Sequence, residues 1–166
     1  MDGNGRWAEK HSLPRIVGHQ QGVKAVRTIV KSCGTLGVKT LTLFAFSSEN
    51  KNRSAEEVSL LFKLFLSVLK QEVKKLTKHN VQLKIIGDMS LFPADVQQKA
   101  VEAQALLTSN TGLTLVIAAN YGGQWDIAQA AAKAAQAAVA GEINAKDINT
   151  DVFANYLSLA NEPDVD

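Results

Sequence analysis

The chain of 166 residues lacks the features that define several large classes of protein. Its single cysteine, Cys33, cannot form an internal disulfide, which favours a reducing compartment and a cytoplasmic location. No apolar run approaches the ~20 residues that cross a bilayer, and no segment resembles a signal peptide, so we expect no membrane span. A net charge of only +2 is too small for a general nucleic-acid binder, so we expect no nucleic-acid partner.

What the chain does contain is enough apolar sequence for one core, because 46% of its residues are hydrophobic. It has only 3 prolines and no linker-like or repeated segment, so residues 1–166 are interpreted as a single domain. Cys33 follows an apolar helical spacing and is predicted to lie in the core. Helices are predicted over residues 22–33 (with Gly34 as the stop), 55–79, 93–108, 125–140 and 151–159 (with Thr150 as the N-cap), and strands over residues 40–47, 81–87 and 113–120.

The alternation of helices with nearly continuous apolar strands predicts an α/β fold with a mostly parallel central sheet flanked by helices. In such sheets, ligands bind beyond the carboxyl ends of the strands. Polar or glycine-rich segments follow the predicted strands at residues 47–53, 87–88 and 120–125. Each of these segments also has a purely structural interpretation. Ser54 and Glu57, just after the first segment, form a capping box for the next helix. The two glycines of the third segment suit a tight turn as well as an anion site.

The first seven residues, MDGNGRW, combine groups that suit a diphosphate carried by a divalent cation. Asp2 is a ligand for a hard cation, the glycines allow close backbone approach to an anion, and the guanidinium of Arg6 matches phosphate oxygens. An Asn-Gly hairpin turn is the alternative interpretation of this loop. Arg15 and His19 are four residues apart and share one face if that segment is helical, either beside the diphosphate or simply on a helix surface.

The predicted helix over residues 55–79 has a wider apolar surface than a helix needs in order to cover one face of a sheet. Its hydrophobic arc is roughly 240° wide, whereas a helix that covers a sheet needs only about 100°. One side therefore packs on the sheet, and the other must contact another helix, a second subunit or an apolar ligand.

Four sequence motifs together are similar to those of the cis-prenyltransferases. They are MDGNGRWAEKHSLPRIVGHQQG at residues 1–22, FAFSSEN at 44–50 followed by Arg53, HNVQLKIIGD at 79–88, and NTGLTLVIAANYGGQWDI at 110–127. Within the family, the motifs most resemble those of the bacterial members that make undecaprenyl diphosphate. The resemblance implies a sheet-and-helix fold with an apolar tunnel. It also implies Mg²⁺-dependent condensation of isopentenyl diphosphate onto farnesyl diphosphate with cis geometry, giving the lipid carrier precursor for peptidoglycan and other cell-wall polymers.

The resemblance also implies roles for particular residues. The catalytic residues would be Asp2, which is also the metal ligand, and Asn50. The substrate-binding residues would be Gly3, Asn4, Gly5, Arg6, Trp7, Arg15, His19, Ser47, Ser48, Glu49 and Arg53. The apolar tunnel would be lined by Ala45, Leu61, Leu64, Phe65, His79, Val81 and Leu113. The family forms homodimers, and release of its lipid product implies transient contact with a membrane surface.

Departures from the family pattern bear on these expectations. Lys51, Ser54 and Gln124 stand where the family commonly has Trp, Pro and Arg. The family also has a strand before the first motif and, after the last residue here, a basic segment that binds isopentenyl diphosphate and completes the metal site. This chain is therefore expected to lack the strand and the half of the active site that binds isopentenyl diphosphate. A non-catalytic homologue or a subunit of a heteromeric prenyltransferase is the alternative. Such partners typically lose the first-motif Asp and Arg, which here are Asp2 and Arg6. An unrelated phosphate-binding hydrolase is a more remote alternative.

Overall fold

Capping residues, apolar periodicity and glycines divide the chain into alternating helices and strands. The computed structural model describes residues 2–45, 47 and 54–163. Within these residues the helices are α1 (Asn4–Lys10), α2 (Arg15–Leu36), α3 (Ala55–Lys78), α4 (Ala94–Leu107), α5 (Gly123–Val139) and α6 (Thr150–Ala154), the strands are β1 (Thr40–Phe44), β2 (Gln82–Ile86) and β3 (Thr114–Ala118), and short 3-10 helices cover Met89–Leu91 and Ala145–Asp147.

The three strands form one parallel sheet in the order β1-β3-β2, which confirms the predicted α/β fold. Phe44 at the end of β1 and Ile86 at the end of β2 both pair with Ala118 at the end of β3. Because the three strands end level, the segments that follow them leave from the same edge of the sheet. This is the edge at which ligands bind in open parallel sheets.

Each strand is shorter than predicted, and the backbone explains why. β2 ends before Gly87, whose φ is +111°, and β3 ends before Asn120, whose φ is 50°. Neither conformation continues a strand. β1 ends at Phe44, although Ser47 still forms an isolated parallel bridge to Tyr121. The apolar run of β1 is typical of a strand buried on both faces, but β1 lies at the edge of the described sheet, and Phe44 is 42% exposed.

The core lies between one face of the sheet and helices α3 and α4. Its buried members are Leu69, Val81, Leu83, Ala100, Ala103, Leu107, Leu113 and Leu115. Cys33, predicted to be a core residue, is only partly buried and packs at the margin of this cluster. Since side chains alternate along a strand, the sheet residues of this cluster occupy one face, and Val116 and Ala118 are buried on the other.

Two sides of helix α3 face other parts of the protein, as its wide apolar arc predicted, although only Leu61 and Leu69 are buried. One side packs against α4 and the segment before it, where the rings of Phe62 and Phe92 lie 4.5 Å apart. The other side faces α2 across an apolar cavity described below. Ser54 caps the helix by accepting a hydrogen bond from the Glu57 backbone N–H at 3.2 Å, so the predicted cap is confirmed.

Both predicted ends of α2 were wrong. Gly34 does not stop α2, which begins at Arg15 and continues to Leu36. The stop is Gly37, which adopts φ 76°, while the Val38 N–H donates to the Cys33 carbonyl. A positive φ at this position is what a glycine stop requires, and Gly34 does not have one.

The last helix is also shorter than predicted and has a different cap. Asn149, not Thr150, is the N-cap, because its side-chain oxygen accepts from the N–H groups of Asp151 and Val152. Helix α6 ends at Ala154, where residues 151–159 had been predicted to be helical throughout. Helix α5 starts at Gly123, two residues earlier than predicted.

The carboxylate of Glu162 forms a brace across the sheet, because it is hydrogen-bonded to two strands that lie far from it in sequence. Glu162 accepts hydrogen bonds from Thr40 on β1, at 2.6 Å, and from Lys84 on β2. These two strands lie on opposite sides of β3, so Glu162 links both edges of the described sheet. The two hydrogen bonds hold the pKa of Glu162 below its usual value although burial of the carboxyl opposes this shift.

Candidate active site

The opening segment is helical rather than the predicted loop. Asn4 through Trp7 form the first turn of α1, and the Trp7 N–H donates to the Gly3 carbonyl at 2.8 Å. The backbone conformation was therefore predicted wrongly by both interpretations, the diphosphate-binding loop and the Asn-Gly hairpin. Gly3 caps the helix with φ 79°, a left-handed conformation that favours glycine.

Asp2 and Arg6 are close together at the start of α1. The Arg6 guanidinium donates to one Asp2 carboxylate oxygen at 3.1 Å, and the Gly3 N–H donates to the other at 2.5 Å. Their side chains are 94% and 78% exposed. A carboxylate and a guanidinium that are both open to solvent remain available to a charged ligand.

Close glycine contacts fix α1 on α2. A Cβ atom added at Gly18 would lie 2.8 Å from the Asn4 carbonyl carbon, and one added at Gly22 would lie 2.9 Å from the Asn4 side-chain amide. A Cβ at Gly5 would lie 2.7 Å from the Arg15 guanidinium. The glycines at 18 and 22 form a Gly-x-x-x-Gly spacing, which permits close helix contact. Sequence reasoning did not use this signal, although it explains how Asn4 and Gly5 are positioned.

Arg15 and His19 share one face of α2, as their spacing predicted. Both side chains approach the same atom on α3, Glu57 Oε1, which lies 3.9 Å from Arg15 Nε and 3.8 Å from His19 Nε2. Glu57 therefore connects α3 to the end of α2 that lies against α1. The ring of Trp7, another predicted substrate-binding residue, is stacked on the ring of His11, with the two ring centroids 4.2 Å apart.

A buried carboxylate that the sequence did not reveal lies beside the carboxyl edge of the sheet. Asp126 accepts from the Tyr121 hydroxyl at 2.9 Å and from the Ser158 hydroxyl at 2.6 Å. Burial, together with this hydrogen bond and the Asp126 charge, raises the pKa of Tyr121 to about 12. Because Tyr121 also forms the bridge to Ser47, the network anchors the point where the segment 47–53 begins.

The second polar segment at this edge has a structural role. Asp88 and Asn120 exchange hydrogen bonds, since the Asp88 N–H donates to the Asn120 carbonyl at 3.2 Å and the Asn120 side chain donates to the Asp88 carbonyl at 2.9 Å. The Asp88 carboxylate accepts from the Ser90 N–H at 2.9 Å, and hydrogen bonding to Ser90 holds its pKa below the usual value.

An apolar cavity of about 570 Å³ lies between α2, α3 and the sheet. Four predicted tunnel residues line it: Phe65, His79, Val81 and Leu113. Three others lie elsewhere. Leu61 and Leu64 precede the part of α3 that lines the cavity, and Ala45 lies past the end of β1, with its N–H bonded to the Ala118 carbonyl.

Charged side chains cross the cavity on its solvent side, which the sequence did not predict. Glu72 on α3 accepts from Arg27 on α2 at 2.7 and 3.1 Å and from Lys75 on its own helix at 3.2 Å. The hydrogen bonds and positive charges of these two groups hold the pKa of Glu72 below its usual value although burial of the carboxyl opposes this. All three residues line the cavity.

Some predicted site residues lie outside the described residues: Ser48, Glu49, Asn50 and Arg53. Among the residues that the structure does describe, no group of three or more His, Cys, Asp or Glu side chains is arranged to hold a metal. Within the same residues, no helix combines the length and hydrophobicity needed to cross a membrane.

Comparison with known proteins assigns a family to this arrangement. The sequence profile of a prenyltransferase family described as "Putative undecaprenyl diphosphate synthase" matches residues 1–166, and the chain belongs to this family. Two similar curated proteins are named ditrans,polycis-undecaprenyl-diphosphate synthase ((2E,6E)-farnesyl-diphosphate specific). The Vibrio parahaemolyticus protein is 54% identical over 100% of this chain and 66% of its own length, and the Haemophilus influenzae protein is 51% identical over 100% and 70%. The chain thus spans about two thirds of the length of these relatives.

Solved structures agree with the family assignment. The structure of lavandulyl diphosphate synthase from Lavandula x intermedia, in complex with dimethylallyl diphosphate, matches with a TM-score of 0.90 and 34% identity, over 95% of this chain and 67% of that one. A probable undecaprenyl diphosphate synthase from Campylobacter jejuni matches with a TM-score of 0.73 and 27% identity, over 84% of this chain and 65% of that one.

Proposed function

We propose that this protein is a cis-prenyltransferase that condenses isopentenyl diphosphate onto farnesyl diphosphate and produces undecaprenyl diphosphate. The curated relatives that match the whole chain carry a name specifying both the undecaprenyl product and farnesyl diphosphate. We further propose that it acts in the cytoplasm as a homodimer and contacts a membrane surface transiently when the lipid product leaves.

The observation that carries this proposal is the position of the apolar cavity relative to the charged end of α2. The cavity lining on α2 begins at Val23, about one helical turn beyond His19, and continues to Thr35. Arg15, the first residue of α2, contacts Gly5 of α1. An allylic diphosphate has a charged head and an apolar tail, so the head would lie near α1 and the tail in the cavity.

The guanidinium groups near the start of α1 and α2 suit the diphosphate head. The transition state places negative charge on the diphosphate as its bond to the allylic carbon breaks, and guanidinium groups stabilise that charge. Arg6 and Arg15 supply two such groups in the described part of the chain, and Arg53 is proposed as a third. Gly3, Asn4 and Gly5 are proposed to place backbone N–H groups at the same oxygens, since the first N–H groups of a helix have no partner within it. The Gly3 N–H would first have to exchange its contact with the Asp2 carboxylate for the diphosphate.

The single accessible carboxylate of Asp2 fits Mg²⁺ that arrives with a diphosphate. Mg²⁺ keeps several waters and is usually held by one or two carboxylates together with substrate phosphates, so a site built from one aspartate is adequate. When bound, the ion would neutralise charge on the leaving diphosphate. Asp2 would first have to exchange its contact with Arg6 for the ion, which leaves Arg6 free to bind phosphate oxygens.

The segment that follows β1 is proposed to complete the site around isopentenyl diphosphate. Each condensation forms one carbon–carbon bond, breaks the bond between the allylic carbon and its diphosphate, and releases one proton from the isopentenyl unit. The departing diphosphate can accept this proton if a hydrogen-bonding group near the reacting carbon orients the two partners. We propose Ser47 and Asn50 for this task, with Ser48 and Glu49 binding substrate. Trp7 and His19 are proposed substrate contacts at the α1–α2 side.

Incorporation of labelled isopentenyl diphosphate into a long polyprenyl product tests the proposal. The intact protein should incorporate label only with Mg²⁺ and farnesyl diphosphate, and Asp2→Ala should reduce incorporation by about 10²-fold or more, as expected for loss of a transition-state contact. Asp147→Ala, an exposed aspartate on the second 3-10 helix, is the matched control and should remain active. No incorporation by the intact wild type would overturn the proposal and restore the non-catalytic alternative.

A further inference from the structure

We propose that Arg27 and Glu72 form a strap across the cavity that limits how long a prenyl chain it accepts. In this strap, Arg27 on α2 is hydrogen-bonded to Glu72 on α3, and Lys75 on α3 is a second partner of Glu72. The inference rests on the proposed function, because it concerns the length of the product formed at that site.

The strap is positioned to control the separation of two walls of the cavity. Arg27 reaches from α2 and Glu72 from α3, and two of the three hydrogen bonds to Glu72 Oε1 come from Arg27. The third wall is the hydrogen-bonded sheet, represented by Leu83, Leu113 and Leu115. Since the paired strands cannot separate without losing their ladder, the cavity widens most easily by movement of α2 away from α3.

The strap crosses the cavity partway along its length rather than at one end. On α2 the lining extends from Val23 to Thr35, so it continues for two turns beyond Arg27. Arg27 and Lys75 have side chains that are 41% and 59% exposed, whereas that of Glu72 is only 14% exposed. The charged groups therefore cover the solvent side above an apolar floor, and a growing chain has to pass beneath them.

The size of the cavity indicates when this passage becomes limiting. A carbon with its hydrogens takes roughly the volume of a water molecule, about 30 Å³, so a five-carbon prenyl unit takes roughly 150 Å³. A cavity of about 570 Å³ then holds roughly four prenyl units. An undecaprenyl chain, with eleven units, exceeds this volume. The strap would therefore resist elongation from about the fourth unit onward, and intermediates of that length would accumulate.

The Arg27→Met variant breaks the strap without leaving the Glu72 carboxylate unpaired. It removes the link between α2 and α3, leaves Glu72 paired with Lys75 on its own helix, and keeps an apolar stem against the cavity. Lys99→Met is the matched control, because Lys99 is bonded to Glu102 at 2.9 Å within α4 and does not line the cavity. The exchanged pair Arg27→Glu with Glu72→Arg should restore the wild-type behaviour.

Two measurements on the intact protein test the strap. Amide hydrogen exchange without ligand should become about fivefold faster in residues 26–36 and 68–78 of Arg27→Met, the factor expected for loss of a modest ion pair, and should not change in Lys99→Met. With farnesyl diphosphate and labelled isopentenyl diphosphate, the share of intermediates with four to six units should fall about fivefold in Arg27→Met, and the longest products should gain at least one unit.

Unchanged hydrogen exchange in Arg27→Met would overturn the strap itself. Faster exchange with an unchanged product distribution from an active enzyme would overturn its role in chain length. If the intact wild type makes no prenyl product, the proposed function fails and the length role fails with it, whereas the exchange measurement still decides whether the strap holds α2 to α3.

Discussion

Replacing Gly18 by alanine should disturb the candidate active site without touching any proposed ligand-binding side chain. The new Cβ would lie 2.8 Å from the Asn4 carbonyl carbon, closer still to its oxygen, and 3.2 Å from the Ala8 Cβ. Ordinary contact begins at 3.4 Å, so α1 must move by at least about 0.6 Å. Backbone atoms cannot rotate out of the way as a flexible side chain would.

The expected result has a stability part and an activity part. Overpacking of this kind should lower the free energy of unfolding by about 1–3 kcal/mol, measured by urea denaturation. Catalytic groups need positions within about 0.5 Å, and a displacement of about 1 Å costs up to ~10²-fold. Displacement of α1 carries Asp2 and Arg6 with it, so we expect prenyl transfer to fall by about 10- to 100-fold.

Gly34→Ala is the matched control for stability, because Gly34 lies in the same helix and a Cβ there would meet no atom within 4 Å. Alanine should stabilise this position by about 0.5–1 kcal/mol, since glycine is the poorer helix former. If Gly18→Ala were as stable and as active as the wild type, the argument that α1 is fixed by backbone contact at Gly18 would be refuted.

Two further predictions concern the buried network and the cavity. Asp126→Asn should lower the pKa of Tyr121 from about 12 while leaving it above 10, because the charge is lost but burial remains. Phenolate absorbance reports this clearly in a chain with 2 tyrosines, and an unchanged titration would contradict the assigned contact. Since the folded-state pKa of Tyr121 is raised, its contribution to stability is complete below pH 10 and is lost as the pH rises toward 12. Leu113→Ala should cost about 2–5 kcal/mol and enlarge the cavity by roughly 90 Å³, more than half of one prenyl unit, so the longest products should gain one unit in a labelled extension assay. An unchanged product distribution would remove Leu113 from the set that limits length.

Local signals allowed much of the fold to be predicted from the sequence. The centres of all three described strands follow from short apolar runs, and the start of α3 follows from the Ser54 and Glu57 capping box. The predicted end of α5 near residue 140 is also confirmed, and Gly141 follows it with a φ of 75°, a conformation that glycine adopts without strain. These features depend on neighbours within a few residues.

The errors occurred where distant contacts decide the structure. Residues 4–7 have the composition of a loop, yet they are helical in α1, which packs tightly on the glycines at 18 and 22. Nothing in the sequence marks Asp126 as buried, because its partner Ser158, which donates to it, lies 32 residues away. Likewise, the spacing of charged residues gives no sign that Arg27 would meet Glu72 across 45 positions.

The Glu162 brace also bears on the order of events during folding. Its partners Thr40 and Lys84 lie 122 and 78 residues earlier in the chain, so the brace is among the most non-local contacts described. Loops of this length close slowly, and the parallel pairing of β1, β2 and β3 does not itself require residue 162. Contacts that form after the transition state slow unfolding without speeding folding. The brace would therefore form after the strands have assembled, and its main effect would be to slow unfolding of the sheet and so prolong the lifetime of the folded state.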